Sequence, residues 1–167
     1  QQSLTVTPNS AVVSVTGGTS PLCIGQTTTC TANGVVLSGG TGAWSSSNNA
    51  VATVDNAGLV TAQGAGTCNI IYTVTGGCNG PVSALQAITV NANSAISSVT
   101  GTSPLCLGAT SSYIANGVVL GGGTGTWSSS DILVATVNPA SGLVTAVGVG
   151  ACNIIYTITG GCNGPVS

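Results

Sequence analysis

The sequence predicts an all-β protein: two tandem antiparallel β-sandwiches, the second lacking its last strand. Three observations predict it. Of 167 residues, 44 are Ser or Thr and 26 are Gly, and Val, Ala, Leu and Ile make up most of the remainder. Such residues suit a pleated, half-buried surface broken by turns. Short segments of alternating apolar and polar residues recur between Gly, Asn and Pro clusters. Finally, the chain repeats itself with a period of 83 to 84 residues, which fixes the number of units before any single strand is assigned.

The repeat is carried by long matches. Val15-Thr-Gly-Gly-Thr-Ser-Pro-Leu-Cys23 returns as Val99-Thr-Gly-Thr-Ser-Pro-Leu-Cys106. Trp44-Ser-Ser-Ser47 returns at Trp127, Val51-Ala-Thr-Val54 at Val134, and Gly58-Leu-Val-Thr-Ala62 at Gly142. Cys68-Asn-Ile-Ile-Tyr-Thr73 returns at Cys152, and Gly76-Gly-Cys-Asn-Gly-Pro-Val-Ser83 at Gly160. Within the first repeat the strands read as 11–16, a short continuation at 21–24 before the Gly25 turn, then 27–32, 42–46, 51–55, 59–62, 67–75 and 82–91. Seven short strands with Gly and Asn turns make a two-sheet sandwich. Trp44 and Trp127, with Tyr72 and Tyr156, are expected to enter the cores rather than form exposed sugar-stacking platforms.

Composition removes most function classes. There is no His, Lys or Arg, and only two acids, Asp55 and Asp131. A Ser-His-Asp or Cys-His centre needs an imidazole. Paired-carboxylate catalysis needs two neighbouring acids, whereas these two lie in separate repeats. No catalytic, cofactor-binding or metal-binding residue is therefore assigned, and no enzyme is expected. Nucleic acid is excluded as a partner, since counterion release needs cationic side chains. No apolar stretch reaches the length of a membrane span, so no membrane insertion is expected. Asp55 and Asp131 read as turn residues. A net charge of −2 and the lack of Lys leave little to oppose association or edge-to-edge strand pairing.

Seven cysteines at regular spacing argue for an oxidising, extracellular compartment, and the CxxC or Cys/His spacing of a zinc site is missing. The chain opens on Gln1-Gln2 with neither Met nor a signal peptide, as a secreted product does after signal removal and as a cut segment also does. No Asn-x-Ser/Thr sequon occurs. O-linked glycans on the many hydroxyls stay open.

The motifs Trp-Ser-Ser-Ser, Val-Ala-Thr-Val, Gly-Leu-Val-Thr-Ala and Ile-Ile-Tyr-Thr resemble bacterial immunoglobulin-like repeats of the group-two type. They look most like cysteine-bearing versions in long secreted surface proteins of Gram-negative bacteria. The resemblance covers essentially the whole chain. It implies two tandem immunoglobulin-like sandwiches and a structural or adhesive role on the cell surface, and it supplies no catalytic residue. Cys30, Trp44 and Cys68 follow the immunoglobulin order of Cys, Trp and Cys, which implies a Cys30–Cys68 bridge between sheets. The second repeat has Tyr113 in place of Cys30, so Cys152 is expected to be unpaired and buried. In such a sandwich the loops holding Cys23 and Cys78 lie at opposite poles, too far apart for a bridge within one domain. Pairing of Cys23 with Cys162, and of Cys106 with Cys78 of a next chain, is therefore slightly preferred to pairing within domains.

The positions of the repeat boundaries give the functional expectation. Leu85–Asn91 has no counterpart, since Ser167 matches Ser83, while 3–11 align with 87–95, placing Leu4 on Ile88 and Val6 on Val90. The expected organisation is thus a donor strand and linker at 1–10, a first domain at 11–93, and a second at 94–167 that a neighbour completes. Ser3, Leu4, Thr5, Val6 and Thr7 form the donor strand. The leading expectation is the subunit of an extracellular filament, polymerising head to tail with itself by donor-strand complementation. The alternative is a two-repeat segment of a long surface adhesin, acting as stalk or binding module.

Overall fold

The computed structural model describes residues 1–167. It contains strands and no helix. No helix is therefore long and apolar enough to cross a membrane. The residues fall into two compact units, Gln1–Asn91 and Ala92–Ser167.

The first unit is a two-sheet sandwich. One sheet orders β1 (Ser14–Gly17), β3 (Thr27–Asn33), β6 (Leu59–Ala62) and β5 (Ala52–Val54). The other orders β2 (Leu22–Cys23), β8 (Val82–Asn91), β7 (Gly66–Thr75) and β4 (Thr41–Ser46). All pairings are antiparallel except β2 with β8, which run parallel with Leu22 opposite Val90 and Cys23 opposite Asn91. The core follows from period-two alternation. On β7, Cys68, Ile70 and Val74 are buried, and on β8 Ile88 and Val90 meet them from the neighbouring strand. Val15, Cys30, Val60 and Ala62 close the core from the opposite sheet.

Two glycines are dictated by this packing. Gly58 turns β5 into β6 at φ +84°, where a Cβ would also press on the Cys30 carbonyl and the Trp44 ring. Gly42 lies under the Tyr72 ring, whose hydroxyl and ring carbons occupy the place of a Cβ. The expected first strand at 11–16 is shorter in the structure. Ala11 makes only an isolated bridge to Val36, and the ladder begins at Ser14, opposite Asn33, because β3 ends there before the left-handed turn at Gly34 (φ +61°).

The second unit keeps the same plan with fewer ladders. β12 (Thr124–Ser129) pairs β15 (Ile154–Thr159), with Trp127 opposite Tyr156, as Trp44 is opposite Tyr72 on β4 and β7. β13 (Ala135–Val137) and β10 (Thr110–Ser112) flank β14 (Leu143–Ala146), and β9 (Ser98–Thr100) pairs β11 (Ile114–Asn116). The counterpart of β3 is split at Tyr113. This side chain is too large for the site of Cys30, so its ring packs over Gly101 and its hydroxyl donates to the Thr102 carbonyl at 3.0 Å. An isolated Val166–Ile158 bridge repeats the Val82–Val74 pair that opens β8, and no ladder follows it.

The cysteines correct one expectation. Cys30 and Cys68 are thiols, both buried, and no bridge joins the sheets. The Cys30 sulfur instead sits with Ile88 Cδ1 over the open side of Gly18, where the two fill the core as hydrophobes. Burial pushes the Cys30 thiol up, which keeps it neutral and unreactive. Cys23 and Cys162 are disulfide-bonded, and Cys78, Cys106 and Cys152 are thiols. Asp55 and Asp131 cap turns through Oδ1, which accepts from the Ala57 and Leu59 amides and from the Leu133 amide respectively.

Candidate functional site

The largest difference between the units lies where β8 has no counterpart. In the first unit Leu22, Val51, Ala62, Cys68 and Ile70 are all buried, and Ile88 and Val90 are part of the same cluster. Their repeat positions in the second unit are Leu105, Val134, Ala146, Cys152 and Ile154, and every one is only half-buried. These five line a groove of about 220 Å³, together with Thr102, Ser103, Pro104, Tyr113 and the backbone of Gly148 and Gly150. Its apolar floor is therefore the part of the core that β8 covers in the first unit.

The groove has polar walls as well. Apart from the isolated Ile158–Val166 bridge, β15 is paired by β12 on one side only, so the rest of its other edge offers backbone donors and acceptors. The 104–106 segment, equivalent to β2, forms no strand. A strand entering here would have partners along both edges, in the register that β8 takes between β7 and β2. That register puts Cys152 opposite Leu4 or Ile88, Gly150 opposite Val6 or Val90, and Leu105 opposite the same valine. Cys152 was expected to be fully buried. It is half-buried because the strand that covers its equivalent, Cys68, is lacking.

The residues expected to form the donor strand lie outside every ladder and are fully exposed, with Leu4 87% and Val6 84% accessible. The end of the segment is fixed. Ser10 is buried, its amide donates to the Cys78 carbonyl at 2.9 Å and its hydroxyl to the Leu37 carbonyl at 3.2 Å. Ser94 repeats this anchor on Cys162 and Leu120. Thr7 is thereby held beside the turn, with its Oγ1 3.0 Å from the Cys78 sulfur.

The aromatic pairs are at the edges of their cores. Trp44 meets Tyr72, and Trp127 meets Tyr156, edge to face at 4.9 Å. Trp127 is buried, whereas Trp44 and both tyrosines are half-buried beside shallow hollows, so core placement holds in full for Trp127 alone. Sequence reasoning named Cys152 but missed the other groove walls. Their signal was present: they are the repeat partners of first-unit residues that touch Ile88 and Val90. No group of His, Cys, Asp or Glu is arranged to hold a metal ion.

Residues 30–77 match the family model described as intimin, immunoglobulin-like domain. The resemblance to bacterial immunoglobulin-like repeats of surface proteins holds. No curated protein matches the chain. Similar solved structures include domains 1–6 of the surface layer protein SbsC, at 18% identity and TM-score 0.37, covering 96% of this chain and 29% of that one. The C-terminal 282-residue fragment of intimin, solved in complex with the intimin-binding domain of the translocated intimin receptor, matches at 14% identity and TM-score 0.45. That match covers 92% of this chain and 64% of the fragment. Protocadherin gamma B2 domains 3–6 match at 11% identity and TM-score 0.41, covering 87% of this chain and 48% of that one. The immunoglobulin-like chain described here thus spans under a third of the surface layer structure.

Proposed function

We propose that this chain is a non-catalytic, extracellular segment of a cell-surface protein, in which immunoglobulin-like repeats act as stalk or adhesive module. The match of residues 30–77 to the intimin immunoglobulin-like domain supports the surface role. The lack of His, Lys and Arg supports the absence of catalysis. Immunogold labelling of intact cells should decorate the surface or its appendages; label confined to the cell interior would overturn the assignment.

A second reading is favoured by one observation. The groove of the second unit fits a strand with apolar residues two apart, and 3–7 carries Leu4 and Val6, 87% and 84% accessible, in the register of Ile88 and Val90. In this reading the chain is a filament subunit, and 3–7 of one copy completes the second unit of the next. In both readings Cys23 and Cys162 are half-cystines, and the other five cysteines are thiols. Purified chain examined by negative-stain electron microscopy and sedimentation should give regular fibres if strands are donated between copies. A population that stays monomeric at all concentrations leaves the stalk segment as the sole reading.

A further inference from the structure

Resting on strand donation between copies, we infer that each joint is locked by a disulfide between Cys78 of the donor copy and Cys106 of the acceptor copy. A strand register and a side-chain distance of the structure converge on it. In the first unit the parallel register places Cys23 opposite Asn91. Cys106 is the repeat partner of Cys23, and Thr7 aligns with Asn91. A donated strand in that register therefore lays Thr7 directly opposite Cys106. Within its own copy, Thr7 already holds its hydroxyl 3.0 Å from the Cys78 sulfur.

Thr7 is thus a shared neighbour. Strands in a sheet lie about 4.8 Å apart, and residues opposite one another point to the same face. The Cys106 thiol then rises on the side of the strand where the Thr7 side chain meets Cys78. A disulfide needs Cα atoms about 4.4–6.8 Å apart, and the proposed joint requires the docked strand to bring the two cysteines flanking Thr7 to that separation. Both groups are available, since Cys78 and Cys106 are exposed thiols. The same two repeat positions carry half-cystines elsewhere in the chain: Cys23 stands where Cys106 stands, and Cys162 where Cys78 stands. Cys30, Cys68 and Cys152 are excluded, the first two by burial and the third because the donated strand covers it.

The chemistry is thiol–disulfide exchange with a low-molecular-weight disulfide as oxidant, for which glutathione disulfide serves. The Cys78 thiolate attacks one sulfur and releases one glutathione thiol. The Cys106 thiolate then attacks the protein sulfur of the mixed disulfide and releases the second. One S–S bond breaks, one forms, and the two thiol protons end on the two glutathiones.

The test uses the 167-residue chain and the variants C78S and C106S, incubated with glutathione disulfide. Each sample is read by electron microscopy and by non-reducing denaturing gel. The wild type is expected to give fibres and a ladder of covalent oligomers that collapses to monomer with reductant. Each single variant should still give fibres but only monomer on the gel. Mixing the two variants should restore covalent dimers and nothing larger, because C78S supplies Cys106 and C106S supplies Cys78. Covalent dimers from C106S alone would show a Cys78–Cys78 contact and overturn the inference. Fibres with only monomer on the wild-type gel overturn the bridge and leave strand donation standing. Absence of fibres from the wild type overturns both.

Discussion

Truncating the two apolar side chains of the 3–7 segment should weaken assembly by an amount that the first unit already displays. Leu4 and Val6 are 87% and 84% accessible, whereas Ile88 and Val90, whose places they would take, are 0% and 2% accessible. Docking therefore moves both from water to core. At about 0.8 kcal/mol per buried carbon, Leu4→Ala forfeits about 2.4 kcal/mol and Val6→Ala about 1.6 kcal/mol. With about 1.4 kcal/mol per tenfold in affinity, these correspond to about 50-fold and about 15-fold. The double variant should raise the critical concentration for polymerisation by about 700-fold if the two sites add. Pelleting across a dilution series measures this directly. Thr5 has the opposite facing, and Thr5→Ser should shift the critical concentration by no more than about twofold. An unchanged critical concentration in the double variant, or an equal loss with Thr5→Ser, would refute burial of this segment in the groove.

Other outcomes follow from the same geometry. A copy of residues 84–91 appended after Ser167 should occupy the groove in cis, giving a monomer by size-exclusion chromatography whose second unit melts at a higher temperature. In the native free chain a maleimide should label Cys78 and Cys106 quickly and Cys152 slowly, and the appended strand should protect Cys152, as β8 covers Cys68. Gly42→Ala places a methyl against the Tyr72 ring and should destabilise the first unit by about 1–3 kcal/mol in chemical denaturation. Because burial holds the Cys30 thiol up, its stabilising contribution is complete below the ordinary thiol range of about 8.5 and is lost as pH climbs from there through the folded value. The first unit should accordingly weaken in alkali, and Cys30→Ala should flatten that dependence. With two acids and no Lys or Arg, assembly should change by less than about twofold between low and high salt, which light scattering reports.

Much of the fold was legible because alternation and turns determine it locally. The segments 59–62 and 82–91 match β6 and β8 to the residue, since Gly58 and a ten-residue run of period two leave no other boundary. The beginning of the first strand was not legible, because its ladder runs only as far as its partner β3, which ends at Asn33 before the left-handed turn at Gly34, a pairing between residues far apart in sequence. The order Cys, Trp, Cys implied a bridge between sheets. Order fixes which strands carry the sulfurs and leaves open where each side chain points, and Cys30 turns toward Gly18 and Ile88. The split of the second-repeat strand at Tyr113 is likewise a matter of volume, visible only once Gly101 is seen beneath the ring. The likeness of 3–7 to 87–91 could be read by alignment alone. The groove could not, because Leu105, Val134, Ala146 and Ile154 are ordinary core residues in sequence and line an open groove only where β8 has no counterpart.

The groove belongs to the second unit and the matching segment precedes the first, so the two surfaces that strand donation would bring together are different patches of the molecule. Such a contact has no twofold axis and does not close on itself, which gives any assembly a direction. Every growing chain would present a groove at one tip and a bare strand at the other, and the two tips would elongate at unequal rates. A short peptide spelling out residues 3–7 would poison only the groove tip. An isolated second unit would cap only the strand tip. Fibre length could then be set from either end by molecules no larger than a single strand or a single domain.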